Sequence, residues 1–587
     1  MTMTNNIRIY LWIALAAVLY FNYQAWMQDY GPHPEIVTNI GGVKSSTPGA
    51  TGTGTTQLAD QVPQVEPSKT PAGGGTNAAS GASNAVPGAN TAVANTTDAG
   101  EQVAAAATAD VVNVRTDVLD VDVSTRGGTI QRADLVKYPR VKGESAPVRL
   151  ENVDDPSTLY ELQSGLTGPG STPTHLATYT ASQAKFDLGA GNEVRVPLTW
   201  TGENGITVTK TLVFRRGQYR VDVEYAVQNH SDSAWQVAQY AQIVRNDPRT
   251  KSSMFNYSAE KSQFHGPALY NGTKYRKLDF SSGSDDSHLT IPVQNGWIAA
   301  LQHHFVSAIV PPKDEEFRFT LAASGDQYRL AAAGPVQTIP AGASKTLSET
   351  FYLGPKLQAQ LETTGPRLEL VADYGILTFI AKPLFLLLSF AHTIFTNWGV
   401  AIIFATLVLK LIFYPLSEAS GRSMAKMKVL SPRIKNLQET YKDDREKLGK
   451  AMMELYQREK INPVSGCLPM IIQIPVFLAF YWVLLESVEM RQAPFFGWIQ
   501  DLSSKDPFYI LPAMMAGAMF AQFKLNPTSP DPTQAKIMMV MPLVMSVTLA
   551  FFPAGLVVYW TTNTLLTMLQ QWNINRRIAA AAAAKRT

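Results

Sequence analysis

The chain has 587 residues, more than one hydrophobic core usually organises, so we expect two or more domains. Its formal net charge of +3 and its charged fraction of 17% argue against a nucleic-acid-binding protein. The single cysteine, Cys467, excludes an intramolecular disulfide and any zinc site that needs two cysteine ligands. We therefore predict no redox chemistry and no cofactor.

An apolar segment at residues 7–23 predicts a membrane-spanning helix. Arg8 stands near its start, and Tyr23 and Trp26 mark its end as an interfacial aromatic belt. No small-residue cleavage site follows this run, which favours an uncleaved anchor over residues 1–30 rather than a secretory signal peptide. Residues 31–110 are mostly Gly, Ala, Thr, Ser, Pro and Asn, a composition that predicts a flexible tether.

Residues 111–355 show a period of two, which predicts half-buried strands. Apolar and polar side chains alternate in residues 119–123 and again in residues 219–227. Asn204 and Gly205 supply a hairpin turn between two other apolar runs. We expect these strands to form one large antiparallel β-sandwich.

Histidines are the candidate acid–base groups of this sandwich: His175, His230, His265, His288, His303 and His304. None has the spacing of a metal-binding motif. His303 and His304 are neighbours, so on a strand they would point to opposite faces and could not share a metal. We therefore predict neither a metal site nor a catalytic residue in this domain.

The sequence after Pro366 is mostly apolar and predicts helices in a membrane. Residues 366–396, interrupted by Lys382, Pro383 and His392, predict an amphipathic helix along the membrane interface. Five later runs are long enough to cross a membrane: residues 397–415, 468–485, 507–523, 536–552 and 556–576. The last four lie within residues 467–577, and all five form a C-terminal bundle. With the N-terminal anchor they give six spans of a polytopic α-helical membrane protein.

The charge of the loops predicts the orientation of these spans. The loop at residues 416–466 is rich in Lys and Arg, whereas the loop at residues 487–506 offers Arg491 and Lys505. The basic loop is therefore predicted to be cytoplasmic. Both termini, including the short basic tail at residues 578–587, then lie in the cytoplasm, and the β-sandwich lies outside.

Lys410 is a charged residue inside the predicted span at residues 397–415. A charge near the bilayer centre costs about 2.5–3.5 kcal/mol on insertion scales, which makes this lysine a functional candidate. Snorkelling of its side chain towards the headgroups is an equal alternative from position alone. The spans hold no Asp or Glu at depth, which disfavours an ion-coupled carrier. The polar residues that could line a wet cavity, or bond within their own helices, are Thr406, Gln473, Gln522, Thr561, Thr562 and Asn563.

The loop at residues 416–466 has a helical period. The apolar residues that recur at three- and four-residue steps are Met424, Met427, Leu430, Ile434 and Leu437. A second apolar run follows a polar break, so we predict an amphipathic helical hairpin. Such a hairpin either packs on itself or receives a partner at the mouth of a cavity.

Several stretches resemble the YidC membrane protein insertases of Gram-negative bacteria: YPLSEASGRSMAKMKVLSP, NPVSGCLPMIIQIPVFLAFYWVL, SVEMRQAPFFGWIQDLSSKDPFYILP, QAKIMMVMP and FPAGLVVYWTTN. These motifs lie within residues 414–571, and the anchor, tether and exported domain agree with the family in order and size. The resemblance implies an inner-membrane protein, not an enzyme, that inserts and chaperones nascent membrane proteins alone or with the Sec translocon. It also implies a supersandwich-like exported domain in the periplasm. The short tail implies weak or transient ribosome contact.

The same resemblance assigns candidate residues. A groove open to the cytoplasm and the lipid bilayer would hold a positive charge at Lys410, where relatives typically have arginine. Matching positions place five further residues in this substrate groove: Thr406, Gln473, Phe477, Met515 and Trp560. The helical hairpin would receive the substrate, and the family implies no catalytic residue, metal or cofactor. From the residues alone, a solute carrier or channel and a periplasmic carbohydrate-active enzyme are the competing function classes.

Overall fold

The computed structural model describes residues 58–63, 111–202, 205–247, 264–281, 283–441, 444–459, 468–525 and 532–584. The predicted N-terminal anchor, most of the predicted tether and Cys467 lie outside these ranges. Within them, every strand falls between Val111 and Pro355, and every α-helix follows that point.

Strands form the first long described region, which we call the β-domain. In chain order, strands β1 to β20 span Val111–Arg115, Leu119–Ser124, Thr129–Pro139, Pro147–Arg149, Tyr160–Thr167, Thr180–Ala181, Lys185–Asp187, Glu193–Thr201, Ile206–Arg215, Arg220–Asn229, Trp235–Asn246, Gly266–Tyr270, Tyr275–Lys277, Thr290–Gln294, Trp297–Leu301, Phe305–Val310, Glu316–Ser324, Gln327–Ala333, Gln337–Ile339 and Ser344–Pro355. The period of two marks the buried face of β2, where Leu119, Val121 and Val123 are buried. Asp120 and Asp122 alternate with them and stay partly exposed.

The strands are arranged in two sheets. The larger follows the order β14-β17-β18-β11-β5-β3-β2-β1-β7, with β4 paired to β3 and β19 paired to β11, and the smaller follows β13-β12-β15-β16-β20-β10-β9-β8-β6. Paired strands are antiparallel as predicted, except that β1 and β7 run parallel. The predicted hairpin joins β8 to β9. Gly205 has a φ of +73°, which glycine adopts without strain, and Asn204 lies outside the described residues.

One hydrophobic core fills the space between the two sheets. Trp297, Tyr225 and Phe351 are among the large side chains that it buries almost completely. Apolar burial is the main favourable contribution to the stability of such a domain. Val488 also belongs to this core, although it lies in a short 3-10 helix, Val488–Met490, beyond the predicted third span. The β-domain and the helical region therefore share packing.

Polar contacts reinforce this junction. Lys356 and Glu486 form a buried ion pair with 3.5 Å between Nζ and Oε2. The Nε2 of His303 donates a hydrogen bond to the Leu485 carbonyl at 2.8 Å. A buried ion pair needs both partners, because removal of one leaves an uncompensated charge. The end of the predicted third span is therefore held against the β-domain.

Helices form the rest of the described chain. In chain order, helices α1 to α9 span Gln358–Thr364, Thr378–Phe395, Trp398–Ile412, Tyr414–Thr440, Arg445–Arg458, Leu468–Glu486, Ile510–Leu525, Pro532–Leu549 and Ala554–Ala584. Helix α3 begins with a side-chain cap, in which Asn397 accepts a hydrogen bond from the Val400 N–H at 3.1 Å. The axis turns by 64° between α3 and the start of α4, Tyr414–Ser423. The predicted span at residues 397–415 is therefore broken at Phe413.

Length and hydropathy identify which described helices could cross a membrane. Gly375–Phe395 meets both criteria, and the bent pair of Trp398–Ile412 with Tyr414–Ser423 meets them if it counts as one span. Shorter apolar helices occur at Ile471–Glu486 and Met539–Leu549. Gly375–Phe395 contains α2, which the sequence predicts to lie along the interface. Its length and hydropathy fit a crossing helix as well.

The helical region exposes many large apolar side chains, and its core packs small residues beside large ones. Ala401, Ala405 and Ala479 are fully buried between helices, whereas Leu411 and Leu543 are 63% and 64% exposed. Soluble monomeric proteins rarely expose large apolar patches. Small residues let membrane helices approach each other closely, and large apolar ones then face the lipid. The pattern is therefore that of a bundle built for a bilayer.

Candidate functional site

A cleft lies where α3, α4, α6 and α9 meet. It encloses about 460 Å³ of space, its open mouth included. The residues that line it, which define the Lys410 cleft, are Thr406, Leu409, Lys410, Phe413, Leu416, Ser417, Ile472, Gln473, Val476, Tyr559 and Asn563. Three of the six groove residues predicted from the sequence are among them: Lys410, Thr406 and Gln473. Apolar walls with a few polar groups are typical of binding sites.

Lys410 is placed by the end of α3. It lies in the last turn of that helix, where a cation interacts favourably with the negative end of the helix dipole. Its Nζ donates a hydrogen bond to the Thr567 hydroxyl at 2.9 Å. The described residues place no carboxylate within ion-pair distance of Lys410. The cation is thus held by a neutral acceptor at the edge of a cleft.

The break at Phe413 changes the expected depth of Lys410. A straight helix through residue 417 would put the lysine backbone roughly 10 Å inside its cytoplasmic end, at 1.5 Å per residue. In the structure α3 ends two residues after Lys410, and α4 leaves at an angle. The calculation for a straight helix therefore does not apply to this bent pair, and the depth of Lys410 in the bilayer stays a prediction. The lysine stands at a corner between two helices rather than along one continuous span.

The polar groups of the cleft differ in how fully they are bonded. The Thr406 hydroxyl donates to the Ile402 carbonyl of its own helix at 2.7 Å, which is the local bonding that the sequence left open. The Gln473 amide donates to the Tyr559 hydroxyl across the cleft. Oδ1 of Asn563 is buried and has no protein partner among the described residues. A buried acceptor without a partner is costly, so this atom favours a wet or substrate-occupied cleft.

The other three predicted groove residues are not among those that line the cleft. Phe477 and Trp560 pack edge to face, with ring centroids 4.8 Å apart. Both are half-buried against the core of the helical bundle. Met515 is completely buried in that core. The three residues therefore belong to the packing of the bundle, and their contact with a substrate stays a prediction.

Sequence reasoning missed some cleft residues that a helical period could have found. Tyr559, Asn563 and Thr567 are spaced by four residues, so they share one face of α9. That face meets Lys410 and Gln473. Of the three, the sequence analysis singled out Asn563.

The predicted hairpin is formed by α4 and α5. Leu430 and Ile434 of α4 are buried against Met452, Leu455 and Tyr456 of α5, so this part of the hairpin packs on itself. Leu437 is half-buried on the same helix. The side chains of Met424 and Met427 lie outside the described part of the structure, although both residues belong to α4. A substrate surface on the hairpin therefore stays a prediction.

The histidine pair of the β-domain differs from the sequence expectation. His303 and His304 lie in a bend between β15 and β16, not on a strand, and their rings stack with centroids 3.8 Å apart. The strand pleat therefore does not separate them, and that part of the prediction was wrong. Burial lowers the pKa of His303 to about 4. Among the described residues, no group of three or more His, Cys, Asp or Glu could hold a metal.

Comparison with known proteins adds independent information. Residues 390–581 match the family model described as 60Kd inner membrane protein, and residues 111–387 match the model described as YidC periplasmic domain. A relative described as membrane protein insertase YidC, from Thioalkalivibrio sulfidiphilus, is 42% identical over 98% of this chain and 99% of its own length. Another of the same description, from Cupriavidus necator, is 44% identical over 98% of both chains.

A solved structure is also similar. It is described as an active YidC insertase with its first transmembrane domain resolved. The match covers 79% of this chain and 94% of that one, with 16% sequence identity and a TM-score of 0.36.

Proposed function

The chain belongs to the YidC family of membrane protein insertases, inner-membrane proteins with a periplasmic domain that are not enzymes, and we propose that its Lys410 cleft receives the polar segment of a substrate during insertion. The substrates of this family are newly synthesised membrane proteins. The resemblance of the motifs at residues 414–571 is thereby confirmed at the level of the family. The role of each cleft residue goes beyond it.

The observation that carries this proposal is the bonding of Lys410. Its ammonium has three donors, and the described contact uses one of them on a neutral hydroxyl. An acidic or polar substrate segment can therefore bind the remaining donors. At about 4 Å, two opposite charges attract by roughly 1 kcal/mol in water and roughly 4 kcal/mol near a protein surface. The partly enclosed cleft therefore strengthens an attraction that bulk water would weaken.

Insertion then follows from the shape of the bundle. A polar segment entering the cleft has only part of the bilayer left to cross, while the apolar helix of the substrate leaves sideways into lipid. The bend at Phe413 supports this step, because it places the charge next to the hairpin of α4 and α5. We assign substrate reception to that hairpin, and Phe477, Met515 and Trp560 to the adjoining apolar wall.

The proposal includes an arrangement in the membrane. It has six spans, both termini in the cytoplasm, and a supersandwich-like periplasmic domain. The Sec translocon is a partner, and ribosome contact is weak or transient. These partners follow from the family resemblance. The exposed apolar exterior of the bundle supports the immersion of the helices in lipid.

Substitution of Lys410 tests the proposal. In a strain depleted of its own insertase, Lys410→Ala is expected to lower insertion of a single-span substrate with an acidic N-terminal tail about tenfold or more, since a lost charge-assisted hydrogen bond costs about 1.5–3 kcal/mol. Lys410→Arg should retain insertion, because it keeps the charge. Protease protection of the substrate's tail gives the readout.

A matched lysine provides the control. Lys382 lies on α2 and pairs with Glu362 at 3.0 Å, away from the cleft. Lys382→Ala should leave insertion near the wild-type level. Insertion by Lys410→Ala at the wild-type level, at equal protein abundance, would refute the role of the charge.

A further inference from the structure

A six-residue segment of the predicted tether is docked on the β-domain. Residues 58–63 begin with a 3-10 turn, Leu58–Asp60, and the side chains of Leu58 and Pro63 are buried. The composition of residues 31–110 predicts a flexible chain throughout. The structure instead seats this one short piece against the larger sheet.

The surface beneath the segment is the outer face of strands β5, β11 and β18. Alternation sends Leu162 of β5 and Ile243 of β11 into the core, so their neighbours Gln163 and Gln242 face outwards. Those two glutamines lie directly opposite each other in the sheet. Gln242 is nevertheless 0% exposed and Gln163 is 5% exposed. Polar residues on an outer face that are hidden from water have something lying over them.

The segment is held by its backbone carbonyls. The Ala59 carbonyl accepts a hydrogen bond from Nε2 of His175 at 2.9 Å. The Gln61 carbonyl accepts one from the Gln242 amide at 3.2 Å and a second from the Arg329 guanidinium at 2.9 Å. The bonds therefore reach alternate residues of the segment.

The protonation of His175 fits this role. A carbonyl can only accept, so the hydrogen of the ring must be on Nε2. Its Nδ1 then accepts from the Tyr240 hydroxyl at 2.7 Å, which in turn accepts from the His175 backbone N–H at 3.0 Å. Burial lowers the pKa of His175 to about 4, so the ring is neutral near pH 7. The ring is oriented as a fixed donor towards the segment.

The site has more bonding capacity than the segment uses. Oε1 of Gln242 and Nε of Arg329 are buried and have no protein partner among the described residues. One can accept a backbone N–H and the other can donate to a carbonyl. Together with the bonds already made, these atoms give the site both donors and acceptors for the backbone groups of a bound segment.

We infer that the outer face of β5, β11 and β18 is a docking site for the backbone of a short peptide segment, and that its resident occupant is the segment Leu58–Pro63 of the same chain. The carbonyl bonds supply affinity, and Leu58 and Pro63 set the register. This inference is independent of the proposed role of Lys410.

Docking shortens the tether. If residues 31–110 were flexible throughout, as their composition predicts, their root-mean-square end-to-end distance would be roughly 50 Å, whereas residues 31–57 alone would give roughly 30 Å. The docking site therefore keeps the predicted N-terminal anchor closer to the β-domain than the full tether would. Release of the segment would let the anchor move away from the bundle.

Spin labelling of the full chain in lipid nanodiscs tests the inference. In a Cys467→Ser background, a nitroxide at Asp60→Cys, an exposed position of the segment, should give a restricted electron paramagnetic resonance spectrum. A nitroxide at Ala85→Cys, elsewhere in the low-complexity region, should give a mobile one. Addition of Leu58→Asp should convert the first spectrum to the mobile form without altering the sheet. Excess free peptide TQLADQVPQV should do the same by competition.

Substitutions in the sheet supply a second, matched comparison. Arg329→Ala combined with Gln242→Ala should mobilise the label at residue 60, whereas Arg318→Ala on the exposed face of β17 should not. A label at residue 60 that is as mobile as the one at residue 85 overturns the inference. A restricted label that survives both Leu58→Asp and the double substitution overturns it as well.

Discussion

The β-domain and the helical region each contain a lysine that is shielded from water, and the two lysines have different partners. Lys210 on β9 is 0% exposed, and its ammonium donates to three backbone carbonyls, those of Gly127, Gly128 and Ser164, at 2.8–3.0 Å. Lys410 on α3 is half-buried, donates to a threonine hydroxyl and faces a cleft. All three N–H donors of Lys210 therefore bond within the fold. The described contacts of Lys410 use one donor and leave the others available to another molecule.

The hydrogen-bond acceptors of a shielded lysine indicate whether it stabilises the fold or is available to bind another molecule. In the sequence both lysines stand among apolar neighbours, Lys210 between the inward positions Val208 and Leu212 and Lys410 inside a predicted span. Burial lowers the pKa of Lys210 to about 7, and the nearby Glu349 carboxylate opposes that shift. The fold of the β-domain therefore supplies an acceptor for every donor of the Lys210 ammonium. The described contacts of the helical bundle do not do this for Lys410, which is the reason to place the functional site in the bundle.

The largest effect, on the unfolding free energy, should come from removing Lys210, whose three donors are all bonded within the β-domain. Lys210→Ala removes one hydrogen bond from each of three carbonyls and leaves the buried Glu349 without its nearby cation, so we expect the β-domain to lose about 3–5 kcal/mol of unfolding free energy. Thermal unfolding of the full chain in detergent, followed by circular dichroism, measures it. Lys185→Ala on β7 is the control, because Lys185 is exposed. Equal melting temperatures for the two variants would mean that Lys210 is not structural.

A smaller effect, on insertion, should come from giving Lys410 an acidic partner within the protein. Asn563→Asp places a carboxylate in the cleft that Lys410 lines, which gives the ammonium a partner within the protein. We expect insertion of a substrate with an acidic tail to fall about tenfold, equivalent to about 1.4 kcal/mol, while the protein stays folded.

A matched substitution on the same helix is the control for this prediction. Asn575→Asp lies beyond the cleft on α9, where Asn575 accepts a hydrogen bond from Gln571 at 3.0 Å. Insertion should remain near the wild-type level in that variant. If both variants reduce insertion alike, added negative charge on α9 rather than pairing with Lys410 is the cause.

Local periodicity explains how much of the fold could be predicted. Alternation in residues 119–123 predicts a strand because it gives each side chain one face, and the structure has β2 there. The break at Phe413 has a different local signal, because Pro415 lies in the first turn of α4 and has no N–H to donate to the Leu411 carbonyl of α3. The predicted span at residues 397–415 was not divided at this proline. The docking of the segment Leu58–Pro63 could not be predicted, because the composition of the surrounding residues 31–110 is typical of a flexible chain. The insertion of Val488 into the β-domain core is likewise a tertiary contact that no period encodes.

The candidate site also combines residues that a local sequence pattern could predict with residues that only tertiary packing reveals. Lys410, Thr406 and Gln473 could be predicted because polar residues in an apolar helix are conspicuous, and the structure brings them together. Tyr559 and Thr567 are amphipathic and looked ordinary in their helix. Their part in the cleft becomes visible only when α9 is set beside α3 and α6. Whether Phe477, Met515 and Trp560 touch a substrate stays a prediction.

The smallest effect, on the unfolding free energy, should come from removing the charge of Lys410. Lys410→Met keeps most of the side-chain volume and loses one charge-assisted hydrogen bond, worth about 1.5–3 kcal/mol. It also removes the cost of desolvating the ammonium, which opposes that loss, so the unfolding free energy should change by about 1 kcal/mol or less. The same detergent melting experiment measures it, beside Lys210→Ala as the destabilised reference. A loss as large as that of Lys210→Ala would make Lys410 a second structural lysine, and the contrast between the two regions would disappear.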